Sequence, residues 1–445
     1  MYNSLKNNTI LRKVSLLKYR LKKVFKAKTR FREKWWAHPL MLLIIGGAII
    51  DMLSLITRDS VVNISALIRI ILLFTMFIVF ARSPRSKEKT KSIQLLAVCG
   101  VFFVVRAFFV NYDSLFELAH QFARTWYFPL FLVMMLSTKM LDYKKIPGAI
   151  LMSTSLYALI IVATAMLGLS LYTHDNATTQ SGAVGWFYAG NEISIILAIG
   201  SILAIVFLSS KELSSKIYYL PFSILIAVPL VGTKVSLAGG VVAVIFSLVY
   251  RYLYGHKTGI SLHRLLLCIA VFSISFVSAP ALQDFAVRNV SASDGSGDNI
   301  TRAIRSKVFS GRIYYLEQRS TDYKNGDIAQ ILFGRGDYAN ESKVRISEMD
   351  PFDILFANGI VGLVVYLFMV MPPMISALRC NNKKRMSEYS LCAMALRIGL
   401  IMAVVFSFIA GHILVAPAVS IMLVAIIYYL NIINKIDVQK GLLHE

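Results

Sequence analysis

The residues with the greatest capacity for chemistry lie between positions 310 and 359. Ser310-Gly311-Arg312 opens a helix-compatible run, and Leu332-Phe333-Gly334-Arg335-Gly336 presents an arginine on flexible, backbone-exposed chain. Glu341 follows, and then Glu348-Met349-Asp350-Pro351-Phe352-Asp353 leads directly into an apolar stretch. Guanidinium groups clamp phosphate or pyrophosphate with two parallel hydrogen bonds. A nearby carboxylate can take the proton of an attacking hydroxyl. Arg312, Arg335 and one of Glu348, Asp350 or Asp353 therefore suit group transfer from a phosphate-linked donor to a hydroxyl acceptor. Helix chemistry accounts for part of the pattern: Asp350 as N-cap, Pro351 at the first helical position and Asp353 in the first turn. Glu348 lies outside that cap and has no such explanation.

Two further groups complement this segment. Lys234 sits in Pro229-Leu230-Val231-Gly232-Thr233-Lys234-Val235-Ser236, between two apolar stretches. Gly232 permits a tight turn there, and the amides opening the next helix can hold an anion beside the ammonium. A capped turn with a snorkelling lysine is the plain alternative. Trp186 and Tyr188 (in Gly185-Trp186-Phe187-Tyr188), with Tyr314 and Tyr315, can stack on sugars, although interfacial aromatics also serve as membrane anchors. His412 follows Ala410-Gly411 in a turn between apolar stretches.

The elements that must position these residues are membrane helices. The chain has 445 residues, 57% hydrophobic and only 16% charged, where soluble proteins carry about 25% charged residues. Apolar windows fall near 39–57, 62–80, 93–110, 121–141, 148–168, 189–209, 218–232, 235–254, 265–283, 352–374, 390–410 and 413–433. Most are long enough for a hydrocarbon core of about 30 Å. The reading is an all-α integral membrane protein of twelve spans, or eleven if the short seventh does not cross. Soluble enzyme folds are excluded. The spans divide the chain into a basic segment at 1–38, helices over 39–283, a large loop at 284–350, helices over 351–433 and a tail at 434–445.

A net charge of +23 would suggest nucleic acid were it not for its location. Residues 1–38 hold twelve Lys/Arg against one acid, Glu33, and basic loops recur at every second connection. That is a topogenic pattern placing both termini in the cytoplasm, and the tail can also lie on anionic lipid. No nucleic-acid partner is expected. The loop at 284–350 carries ten basic and ten acidic residues, so it is not a topogenic charge run. By the same topology it lies outside, as do Lys234 and His412. Its opening, Ser291 to Gly297, reads as flexible, and 300–332 reads as helix. Arg69, Arg106, Arg124 and Arg397 fall within apolar windows, where a guanidinium needs a cavity or a partner. Arg106 and Arg124 sit near helix ends, where snorkelling would account for them. The four cysteines show neither a disulfide pattern nor metal spacing, and no cleavable signal is expected after the first apolar run.

The ordered set Gly185-Trp186-Phe187-Tyr188-Ala189-Gly190-Asn191-Glu192, Gly232-Thr233-Lys234-Val235-Ser236, Ser310-Gly311-Arg312, Phe333-Gly334-Arg335-Gly336, Glu348 to Asp353 and Asn358-Gly359 to Leu363 resembles the superfamily of O-antigen ligases and Wzy-type polysaccharide polymerases. The likeness spans about 120–412. It implies a membrane glycosyltransferase of the GT-C type, working on the outer face of the bacterial cytoplasmic membrane without metal or cofactor. Its substrate would be an oligosaccharide on undecaprenyl pyrophosphate, and a flippase and a chain-length regulator would be its pathway partners. By position, Arg312 looks like the family's loop arginine facing the donor phosphates. Lys234 stands where many members carry arginine, and Arg335 and Arg124 are further phosphate candidates. Ligases place a histidine just before the helix that opens here at Glu348-x-Asp350-x-x-Asp353. The carboxylates, and Ala410-Gly411-His412, look more like polymerases of Gram-positive exopolysaccharide or capsule clusters. A ligase is the alternative; a transporter would call for internal repeats, and none is evident between the halves.

Overall fold

The computed structural model describes residues 37–56, 64–110, 115–138, 141–176, 179–187, 190–209, 220–254, 260–279, 312–334, 347–379 and 388–441. Among the described residues the fold is all-α apart from one small hairpin. Twelve apolar helices occur among the described residues, one for each expected window: α1 (Ala37–Ile56), α2 (Ile64–Arg82), α3 (Lys87–Phe109), α4 (Leu115–Thr138), α5 (Ile146–Met166), α6 (Gly190–Ser209), α7 (Phe222–Val231), α8 (Lys234–Tyr254), α9 (Leu262–Ser278), α12 (Asp350–Leu378), α13 (Glu388–Ser407) and α14 (Pro417–Gly441). Between α9 and α12 lie two short polar helices, α10 (Arg312–Lys324) and α11 (Ile328–Phe333). Six helices, α3, α5, α6, α8, α12 and α14, are each long and apolar enough to cross a membrane. The helix α7, ten residues and so about 15 Å long, is too short on its described part. The hairpin pairs His174–Asn176 with Thr179–Ser181, antiparallel, His174 facing Ser181.

The helix α6 is the hub. It is buried along nearly its whole length and packs against α5, α7, α8, α9, α13 and α14. Close approach rests on small residues, as membrane packing requires where lipid offers no hydrophobic drive. A Cβ on Gly239 of α8 would come within 2.3 Å of Ala198 Cβ on α6. Polar bonds tie the helices of the bundle together, each of which replaces water that the interior lacks. Arg69 of α2 pairs with Asp51 of α1, whose second oxygen accepts from the Tyr157 hydroxyl of α5. Glu192 of α6 and Tyr127 of α4 lie within electrostatic reach of Arg69. Arg397 of α13 donates to Asn434 Oδ1 at 2.6 Å and to the Ala377 carbonyl at 3.2 Å. Both mid-span arginines thus have protein partners. Replacing Asp51 with Ala removes the carboxylate bonded to the guanidinium, and the expected loss is about 3–5 kcal/mol, read as a lowered melting temperature in detergent. Joint replacement of Asp51 and Arg69 by apolar residues should recover most of it.

Snorkelling does not describe Arg106. It is 2% exposed and donates from Nε to the Phe333 carbonyl at 3.1 Å and from Nη2 to the Ala357 carbonyl at 2.8 Å. The reason is a break in α12: Gly359 has φ 68° and ψ −176°, so neighbouring carbonyls lose their helical donors. Arg106 supplies one, and Trp126 Nε1 donates to Asn358 Oδ1 at 3.0 Å beside it. Phe333-Gly334 crosses this break backbone to backbone. A Cβ on Gly334 would stand 2.0 Å from the Ala357 carbonyl oxygen, and one on Gly359 2.3 Å from that of Leu332. Both glycines also need positive φ. Gly359→Ala is therefore expected to separate α11 from α12 and to lower the melting temperature sharply, whereas Gly46→Ala, with open space around it, should leave it unchanged.

Candidate active site

At one end of the bundle three turns converge. The first joins α7 to α8. Gly232 closes α7 in the left-handed conformation, φ 67°, and the preceding segment of the chain satisfies the carbonyls that α7 leaves open. The Ala183 amide donates to the Leu230 carbonyl at 2.8 Å, and the Thr173 hydroxyl donates to that of Val231 at 2.7 Å. Gly182 must be glycine here, since a Cβ would meet Val231 O at 2.5 Å. Thr233 then caps α8, accepting from the Ser236 amide at 3.1 Å and donating to Ser194 Oγ of α6 at 2.6 Å. Lys234 emerges as the first, exposed residue of α8. It lies within electrostatic reach of Arg312.

The second turn is 347–350, leading into α12. Its helix chemistry differs from the sequence expectation. Met349, not Asp350, is the N-cap residue. Asp353 reaches back to hold the turn, Oδ1 accepting from the Ser347 hydroxyl at 2.7 Å and Oδ2 from the Met349 amide at 3.1 Å. Asp350 points away from its own helix. It is wholly buried, and its carboxylate accepts from three successive amides of the third turn: His412 at 2.6 Å, Ile413 at 2.8 Å and Leu414 at 2.6 Å.

That third turn, 408–416, also departs from expectation. The apolar window predicted a helix from 413. Instead Gly411 and His412 both have positive φ, and α14 begins only at Pro417. The amides that would open a helix at 413 are committed to Asp350, so Ile413 to Ala416 run as a buried irregular segment. On its other side Asn191 Nδ2, at the start of α6, donates to the Ala410 carbonyl at 3.0 Å.

Glu348 stands where the second and third turns meet. Its backbone is left-handed, φ 57°, a conformation uncommon for a residue other than glycine. Its carbonyl is so close to Gly411 that a Cβ there would lie 1.9 Å away. Its side chain is half-buried. Arg312, the first residue of α10, donates to Glu348 Oε2 from Nη2 at 2.8 Å and from Nε at 3.1 Å. The guanidinium and carboxylate are 13% and 21% exposed, so the pair is reachable from solvent. A carboxylate, a guanidinium and an ammonium thus share one end of the bundle, able to hold an oxyanion and to accept a proton.

The other candidates are dispersed. Trp186 is exposed and donates from Nε1 to the Leu169 carbonyl at 3.0 Å. The rings of Tyr314 and Tyr315 on α10 meet edge-on at 5.6 Å, and Tyr314 is exposed, its hydroxyl accepting from Gln318 at 2.8 Å. The His412 backbone is fixed by Asp350. Tyr188 and Arg335 lie outside the described residues, as does the side chain of Arg124. Sequence reasoning missed Asn191 and Gly411 as positioning residues. Both were present in the quoted motifs, but nothing in the sequence showed that the two motifs meet. It also missed Asp51, the partner of Arg69, because a lone aspartate near a span end has an ordinary interfacial reading.

No curated protein matches the chain. The profile of a family described as O-antigen ligase like membrane protein matches residues 33–293 and 292–437, which is nearly the whole chain. That range contains Lys234, Arg312 and Glu348, and all or most of every apolar helix. The chain belongs to the O-antigen ligase like membrane proteins, and its activity is of the membrane glycan transferase kind.

Proposed function

We propose that this protein is a polysaccharide polymerase that joins oligosaccharide repeat units carried on undecaprenyl pyrophosphate. The observation that carries the reading is the Arg312–Glu348 pair at the mouth of the bundle with Lys234 beside it. In the proposed reaction the Glu348 carboxylate takes the proton from a hydroxyl of the acceptor chain. That oxygen forms a bond to the anomeric carbon of the donor chain's first sugar, from the face opposite the pyrophosphate. The carbon–oxygen bond to pyrophosphate breaks, and its electron pair leaves with the polyprenyl pyrophosphate, so configuration inverts. Arg312 and Lys234 offset the charge that grows on the leaving group. Asp350 and Asp353 carried the same expectation as bases, but their oxygens already hold the backbone of two turns. Glu348 is therefore preferred.

The basic segments place both termini in the cytoplasm on this reading, and the site end of the bundle on the outer face of the bacterial cytoplasmic membrane. A flippase would deliver its substrate, and a chain-length regulator would act on its product. Trp186, Tyr188, Tyr314, Tyr315 and His412 are the glycan-contact candidates, with Arg335 and Arg124 as outlying phosphate ligands. The family match favours equally a ligase that moves a finished glycan to another acceptor.

The size of lipid-linked glycan in cells lacking the protein separates these readings. Single repeat units on the outer face of the membrane are expected for a polymerase. Long chains retained on the carrier would mean a ligase. Single units confined to the cytoplasmic face would mean a flippase and would overturn the assignment of a catalytic site.

A further inference from the structure

We propose that the Arg312–Glu348 ion pair is a clamp opened by the donor's pyrophosphate, so that the base is released only when the donor is bound. The inference rests on the phosphate-binding reading of Arg312 and goes beyond it. Both guanidinium bonds converge on one carboxylate oxygen, Oε2, at 2.8 and 3.1 Å. An oxygen whose lone pairs are so committed is poorly placed to take a proton from a hydroxyl. Arg312 is paired with Glu348, and a second cation, Lys234, lies within electrostatic reach of that guanidinium. The repulsion between the two cations is relieved by an anion that carries more charge than Glu348. A pyrophosphate ester does, and it presents several oxygens to the guanidinium fork.

The surroundings make the release local. The Glu348 backbone is held in its left-handed turn by contact with Gly411 on one side and by the Asp353-capped helix start on the other. Exchange of partners by Arg312 therefore moves the Glu348 side chain and leaves its backbone in place. Arg312 opens α10, which is bounded by Lys324 and packs on α11 and α12, so the guanidinium also turns about a fixed helix. The consequence is an order of binding: donor first, acceptor activation second. A hydroxyl that arrives without a donor meets a carboxylate already in use.

The clamp predicts that Glu348 competes with pyrophosphate for Arg312. The test is calorimetric titration of the full-length protein in nanodiscs with inorganic pyrophosphate and with a short prenyl pyrophosphate. Glu348→Gln should bind both about three- to tenfold more tightly than the native protein, the effect of removing one charge-assisted partner. Arg312→Gln should bind at least about tenfold more weakly. Equal affinity of the native and Glu348→Gln proteins, with Arg312→Gln weakened, would overturn the clamp and leave the phosphate site standing. Binding by none of the three, or equal binding by all, would overturn the phosphate site itself. If Glu348→Gln fails to fold, Glu348→Asp decides the matter. Its shorter carboxylate loses reach to Arg312, so tighter binding supports the clamp and unchanged binding refutes it.

Discussion

Replacing Glu348 by Gln should abolish glycan polymerisation while leaving the protein folded. A positioned general base contributes about 10²–10⁴ in rate, and the amide cannot accept the acceptor's proton. The turn should survive because Gln keeps the side chain's length and the turn is set by the backbone, through φ 57° and the Gly411 contact. The measurement is chain elongation per enzyme, with the melting temperature in detergent as the fold control. Asp353→Asn is the contrasting variant. It weakens the bonds to Ser347 and Met349, a capping loss of about 1 kcal/mol, and should slow elongation far less. Equal loss of rate in both variants would remove the basis for preferring Glu348 as base.

The opposite signature is expected at Asp350. Its carboxylate accepts from the His412, Ile413 and Leu414 amides, and Ile413 and Leu414 are buried. Asp350→Ala removes an acceptor from these donors, at about 1–3 kcal/mol for each buried amide left unsatisfied, a large share of a typical folding free energy of about 5–15 kcal/mol. Poor yield and a markedly lowered melting temperature should result, with activity lost through misplacement of the turn. Asp350→Asn keeps one acceptor oxygen and should lie between. An Asp350→Ala protein that is as stable as the native one, yet inactive, would instead make Asp350 a participant in the chemistry.

Much of the scaffold was legible in the sequence because membrane helices announce themselves by hydropathy: each of the twelve windows contains a helix. Three particulars were not. Residues 413–416 satisfied the apolar window, and hydropathy cannot tell a helix from a buried irregular segment. The deciding bonds come from Asp350, 62 to 64 positions earlier in the chain. Pro417 was the available signal, being suited to the first turn of a helix. Arg106 was placed near the end of α3, where snorkelling is cheap, yet its partners are the carbonyl of 333 at the end of α11 and that of 357 beside the Gly359 break. A break of that kind depends on one glycine within a continuous apolar run. For the site, the types and order of residues pointed to Arg312 and Glu348, and the structure brings those two into direct contact. Choosing among three carboxylates within six positions needed the turn itself, because only coordinates separate an oxygen that holds backbone from one that faces a guanidinium.

The central claim is tested most directly by reconstituting the purified protein in liposomes with a single lipid-linked repeat unit as the only glycan. A ladder of longer lipid-linked chains is expected, with one polyprenyl pyrophosphate released for each bond made, and no ladder with Glu348→Gln. If the native protein folds yet leaves the single units unchanged, or passes them only to a different acceptor, the polymerase account is contradicted.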